Sequence, residues 1–151
     1  MSGELYYYKE CGLDNVWIKD GVEYHDTPYG RGISIHKQAN LHKAIGLDIA
    51  KSLYNMRPQE LRFLRIEMEL SQKNLGALIG VDAQTIARWE KGETEISGPA
   101  ELIIKSLYIQ HAGEHPDIQN LCHDLAELDE TAYAQERQFT QESGEWHKVA
   151  L

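Results

Sequence analysis

The stretch LSQKNLGALIGVDAQTIARWEKG, residues 70–92, constrains the chain more than any other. Its stops and starts fall where two short helices and a tight turn need them. Ser71 can cap a first helix by accepting a free backbone N–H, with Leu75, Leu78 and Ile79 following on one inward face. Gly80 can close that helix, because glycine takes the left-handed position after a helix without steric cost. Asp82 can cap the second helix, where its charge suits the positive end of the dipole. Ile86 and Trp89, three residues apart, face inward at the helical period. Gly76 supplies the small residue that lets the two helices cross closely, and Gly92 ends the second helix after Glu90 and Lys91.

With Ile86 and Trp89 turned inward, the opposite face of the second helix shows Ala83, Gln84, Thr85 and Arg88. These lie toward its N-terminal half, the part of such a helix that meets base edges in a major groove. Glutamine can pair with adenine through two hydrogen bonds and arginine with guanine, while Thr85 and Ala83 suit a thymine methyl or a phosphate. Gln72 and Lys73 at the start of the first helix, with Arg62 and Lys91, are the candidates for the phosphate backbone.

The pattern Q-x-x-L-G-x-x-I-G-V-D-x-x-T-I-x-x-W-E-K-G, from Gln72 to Gly92, resembles the helix-turn-helix of the Cro/C1-type (XRE) repressors. One departure is Gly76, where that family usually has alanine; glycine there weakens a helix by roughly 1 kcal/mol. The resemblance implies an all-α, lambda-repressor-like bundle. It also implies a homodimer on double-stranded DNA, reading a near-palindromic operator as a transcriptional repressor.

Before this stretch the chain reads as a different kind of module. Tyr6 and Tyr8 alternate, Val16, Trp17 and Ile18 form an apolar run, and Val22, Tyr24, Ile33 and Ile35 continue a strand pattern. Asp20-Gly21 is a strong two-residue hairpin signal, and Thr27-Pro28-Tyr29-Gly30 a second turn. A small antiparallel sheet of about three strands is expected. Cys11, His25 and His36 raise the question of zinc, but a structural site needs four ligands, usually in close pairs, so no metal is expected. Leu41, Ile45, Ile49 and Leu53 predict a helix over 39–56, with His42 facing solvent. Pro58 suits the first turn of the next helix, which presents Leu61, Leu64 and Met68 inward with Phe63 and Ile66 nearby; Arg62 and Arg65 lie on other faces, within reach of phosphates or as plain surface charges.

Beyond Gly92, Ser97-Gly98-Pro99 starts a helix with Leu102, Ile103, Leu107 and Tyr108 apolar. Pro116 opens another with Ile118, Leu121, Leu125 and Leu128 in register, either completing the core or forming a dimer seam. Cys122 and His123 are neighbours on that helix, pointing about 100° apart, and make no catalytic pair. The last stretch is polar, with scattered Tyr133, Phe139 and Trp146, and reads as a frayed helix or a tail. The expected division is a sheet-plus-helix module over 1–56, a DNA-binding domain over 57–130 and an acidic tail over 131–151. The expected class is α+β, a small N-terminal antiparallel β module followed by an all-α bundle.

The formal net charge of −9 runs against DNA binding, but it is unevenly spread. Residues 1–56 and 57–99 each hold six basic against seven acidic side chains, while 100–151 holds three against ten. The reading segment is near neutral, so modest non-specific affinity and a shallow salt slope are expected. No apolar run is long enough to span a membrane, and the N-terminal residues MSGELYYYKEC lack the basic start and apolar core of a signal peptide. Two cysteines without a C-x-x-C pair fit a reducing cytoplasm, the expected location, in association with the nucleoid.

The order of a small sheet module and then a helix-turn-helix, from R-F-L-R to W-E-K-G, also resembles the MqsA-type antitoxin regulators. In that family the N-terminal module often binds zinc and contacts a toxin, and the recognition helix uses a polar amide and an arginine four residues later. Gln84 and Arg88 match those positions, with glutamine for the usual asparagine; the zinc cysteines are missing. An antitoxin with a toxin partner is therefore one alternative. A ligand-sensing regulator, with Tyr6, Tyr8, Trp17 and Tyr24 lining a pocket, is another. No paired carboxylates, nucleophile–base set or phosphate loop stands in convincing context, so neither an enzyme nor a cofactor is expected.

Overall fold

The strand Val16–Ile18 (β2) finds its neighbours from opposite halves of the chain. The computed structural model describes residues 5–52, 54–127 and 136–150, with the backbone alone at 125–127. In it β2 pairs antiparallel with Tyr6–Tyr7 (β1) and parallel with Arg137–Glu142 (β5), which turns back into Glu145–Lys148 (β6). The resulting sheet has the order β1-β2-β5-β6. Val22–Thr27 (β3) and Gly30–Ile35 (β4) form a separate two-stranded hairpin. The helices are Gln38–Lys51 (α1), Pro58–Glu67 (α2), Gln72–Ile79 (α3), Ala83–Lys91 (α4), Gly98–His111 (α5) and Ile118–Glu127 (α6). The protein is α+β: strands near the N-terminus, then a bundle of helices. It divides into two compact units, 1–45 with 135–151 and 46–134, the division falling within α1.

Two readings of the first unit change. Asp20-Gly21 is not a hairpin turn, because β2 and β3 lie in different sheets. The place beside β2 that β3 was expected to fill is taken by β5, from a stretch read as tail. Gly21 keeps a left-handed backbone, at φ +95°, and accepts from His36 N at 3.0 Å. A Cβ there would lie 2.7 Å from the Trp146 ring, so glycine is needed for that ring to pack. The Thr27–Gly30 turn forms as expected, with Thr27 opposite Gly30. The core holds Leu13, Val16, Ile18, Leu41, Ile45, Phe139 and Trp146. Buried Arg137 donates to Asn15 Oδ1 at 3.3 Å.

His42 does not face solvent. It is half-buried, with Nε2 at 2.7 Å from the hydroxyl of buried Tyr8, which also accepts from Gln38 Nε2 at 2.8 Å. Each aromatic residue expected to line a pocket lies against a neighbouring ring. Tyr8 is core, Tyr6 meets Tyr24 edge-on at 6.4 Å, and Trp17 lies 4.7 Å from Tyr7. Cys11 donates to the Tyr8 carbonyl at 3.1 Å, and burial pushes its thiol up to about 11, so it is protonated at neutral pH. Among the described residues no three His, Cys, Asp or Glu side chains come together as metal ligands.

In the helical unit, α1 stops at Lys51, short of the expected Met56. Proline at 58 disfavours helical backbone before it, and Arg57 is extended at ψ 159°. Leu61, Phe63 and Leu64 of α2 and Met68 just after it are buried, while Ile66 is exposed. The buried face of α5 is turned from the expected one: Ala100, Glu101, Ile104, Lys105, Tyr108 and Ile109 are inside, and Ile103 is exposed. The reason is a buried ion pair, Lys105 Nζ to Glu101 Oε2 at 3.3 Å, which apolar counting cannot see. Gly46 of α1 lies against Tyr108, where a Cβ would come within 2.2 Å of the ring. Leu121 of α6 is buried and Ile118 exposed; the side chains of Leu125 and Leu128 lie outside the described residues. Among the described residues no helix is long and apolar enough to cross a membrane.

Candidate nucleic-acid interface

Local chemistry builds α3 and α4 much as the sequence implies. Ser71 Oγ accepts from Asn74 N at 2.9 Å and Asp82 Oδ1 from Thr85 N at 2.8 Å, so both N-termini are capped. Gly80 and Gly92 take left-handed backbones, φ 83° and 74°, at the two C-termini. The Gly76 carbonyl accepts from Gly80 N at 2.8 Å and Val81 N at 2.9 Å, which folds the turn back over the glycine. A Cβ at Gly76 would stand 2.4 Å from Val81 O. The glycine that departs from the usual alanine is thus what this turn requires.

Burial divides α4 sharply. Ile86 and Trp89 are inside; Gln84 and Arg88 are exposed, four residues apart and hence on one face. Ala83 and Thr85 are half-buried beside them. The Thr85 hydroxyl donates to Asp82 Oδ1 at 2.7 Å, so its one donor is taken and its methyl is left to a partner. That bond, before any charge effect, holds the Asp82 carboxyl below the usual range, with the nearby Arg88 guanidinium adding to it. Lys73, Arg62 and Lys91 are exposed.

Gln72 and Arg65 are held otherwise than the sequence implied. Arg65 grips Glu90 with Nε to Oε2 at 2.6 Å and Nη2 to Oε1 at 3.0 Å, and donates to the Leu70 carbonyl at 3.0 Å. Gln72 Nε2 donates to the same Glu90 at 3.2 Å. The Glu90 side chain is 4% exposed. It therefore ties α2, the start of α3 and the end of α4 together, a role that sequence reading missed. The available signal was its place next to the inward-facing Trp89 at a helix end. Arg65 is consumed by that contact and is not a surface charge aimed at phosphates; the Gln72 amide is partly so.

Residues 61–99 match a family model described as helix-turn-helix. The matched segment takes in most of α2, all of α3 and α4, and the first residues of α5. That family is one of DNA-binding regulator domains and not of enzymes. No curated protein and no solved structure gives a significant match to the chain.

Proposed function

We propose that the protein is a sequence-specific transcriptional regulator, a homodimeric repressor that reads a near-palindromic operator with α4. The observation that carries this is the division of α4: within a helix-turn-helix match, the apolar residues are sealed inside while Gln84 and Arg88 stand together in solvent. In this reading Gln84 and Arg88 meet base edges, and Ala83 and the Thr85 methyl pack against thymine methyls. Lys73, Arg62 and Lys91, with the remaining polar atom of Gln72, set the register on phosphates. Two recognition helices related by a two-fold axis would enter successive major grooves roughly 34 Å apart.

The test is selection of bound fragments from random and genomic DNA, with Arg88→Ala as control. A two-fold motif enriched by the native chain and lost in the variant is the expected result. On the selected site Arg88→Ala should cost about 1–3 kcal/mol and relax one position. Equal loss on every sequence would remove Arg88 from base reading. No enrichment at all would overturn operator binding and direct attention to a protein partner of the first unit.

A further inference from the structure

We propose that the outer edge of β3 is the surface on which two copies of this chain meet, pairing antiparallel across a two-fold axis at Tyr24. β3 and β4 form a sheet of their own, so among the described residues the outer edge of each strand is unpaired. An isolated two-stranded hairpin is marginal in water, and further strands stabilise it. His36 N donates to Gly21 O at 3.0 Å, which fixes the phase of the ladder. Bonding alternates along an antiparallel pair, so Glu23, His25 and Thr27 turn their backbone groups toward β4, and Val22, Tyr24 and Asp26 turn theirs outward. Five of the six β3 residues are exposed. The strand has no lysine, proline or bulge, the devices that usually keep an edge from pairing. The β4 edge is the poorer candidate, since Gly30 and Gly32 interrupt it and Ile33 and Ile35 are half-buried.

Charge selects the register and makes a second copy the fitting occupant. Opposing Val22 with Tyr24 of the second copy sets Glu23 against Glu23, and opposing Tyr24 with Asp26 sets His25 against His25. Opposing Tyr24 with Tyr24 sets Glu23 against His25 on both sides of the axis and uses every outward residue of the strand. In that register Tyr24 exchanges both backbone bonds with its counterpart, and Val22 and Asp26 exchange theirs. Glu23 and His25 then form the non-hydrogen-bonded pair, whose side chains lie closest. Among the described residues nothing pairs with the Glu23 carboxylate. His25 Nε2 lies 2.9 Å from Ser34 Oγ, which leaves Nδ1 for Glu23 of the second copy. Asp26 meets Val22 and remains across from its own Arg31. The Arg31 guanidinium stands 3.9 Å over the Tyr24 ring and Tyr6 meets that ring edge-on, so the residue on the axis is held in place. A contact that uses the same patch on both copies closes at a dimer. The inference rests on the homodimeric reading above for its occupant, and it gives that dimer a contact made by residues other than those that face DNA.

The experiment is sedimentation equilibrium of the full-length chain without DNA, at micromolar concentrations. The native chain should associate to a dimer and no further. Tyr24→Pro removes the outward N–H on the axis and spares the ladder between β3 and β4; it should weaken association at least about tenfold. Glu23→Lys should weaken it about tenfold and His25→Glu likewise, while the two together should restore it, because the exchanged charges again oppose each other. Both positions are exposed, so neither substitution threatens the fold. A native chain that stays monomeric overturns the proposal, and so does a double variant that associates no better than the single ones. A dimer indifferent to both Tyr24→Pro and Glu23→Lys would overturn the β3 edge and leave the homodimer standing on another surface. Fragment selection with Arg88→Ala reports on DNA reading separately, since Arg88 takes no part in this contact.

Discussion

The hydrogen bonds that cap and close α3 and α4 join residues within five positions of one another, such as Asn74 to Ser71 and Val81 to Gly76. The first sheet is made the other way: Val16 sits opposite Arg137 and Ile18 opposite Phe139. One region is specified by its own few residues, and the other exists only when distant segments meet. The difference teaches where each is vulnerable. Local caps and glycines make α3–α4 robust to changes elsewhere, whereas the sheet fails if either contributing segment is damaged.

The strongest test is Phe139→Ala. Phe139 is fully buried, and its loss should cost about 3–5 kcal/mol. In a denaturant series the indole signals of Trp17 and Trp146 should collapse early, while that of Trp89 persists. If all three fall together, the two regions unfold as one and the contrast is wrong. Next is Arg65→Ala, which strands the buried Glu90 carboxylate and should cost about 3 kcal/mol. It probes a long-range tie in an otherwise local region, and here the Trp89 signal should fail first.

Gly76→Ala sets two effects against each other. Alanine favours a helix by roughly 1 kcal/mol, but its Cβ would press on a backbone oxygen that can move only by opening the turn. The clash should win, for a net loss of about 1–3 kcal/mol on chemical denaturation. A gain would mean that the crossing relaxes freely. The smallest effect concerns the Asp82 cap. Its carboxyl is held below the ordinary value of 3.8, so the stabilisation is present above that pH and is lost as the pH falls through the lowered value. Asp82→Asn keeps a capping side chain but does not titrate. The difference in Tm between the two proteins should therefore change on the acid side of pH 4 and be constant above it.

What could be read from the sequence follows the same division. Ser71, Gly80, Asp82 and Gly92 announce their positions because each acts on a neighbour three to five residues away. The inward Ile86 and Trp89 and the outward Gln84 and Arg88 follow from the helical period. Arg65 was misjudged because its partner, Glu90, lies 25 residues away. Leu78 was placed inward by period alone and is exposed, since α3 is short and buries chiefly Leu75 and Gly76. Phe139 and Trp146 looked scattered in a polar stretch because strands pairing with a distant partner need only two inward residues. The α5 face was misread because a charged pair fills part of it.

The parallel pairing of β2 with β5 also imposes an order on the chain's birth. Synthesis delivers β1 and β2 first, then the β3–β4 hairpin and all six helices, and only afterwards the β5–β6 hairpin that completes the sheet. Chains emerge at roughly 5–20 residues per second, and long-range pairing is slow compared with helix formation. The helical unit therefore has its entire sequence in hand while β2 still lacks one of its two partners. During that interval the edge of β2 that β5 will occupy is open, a short apolar strand exposed to other nascent chains. A ribosome that stalls within α6 would release a molecule able to fold its reading head but carrying an unfinished sheet.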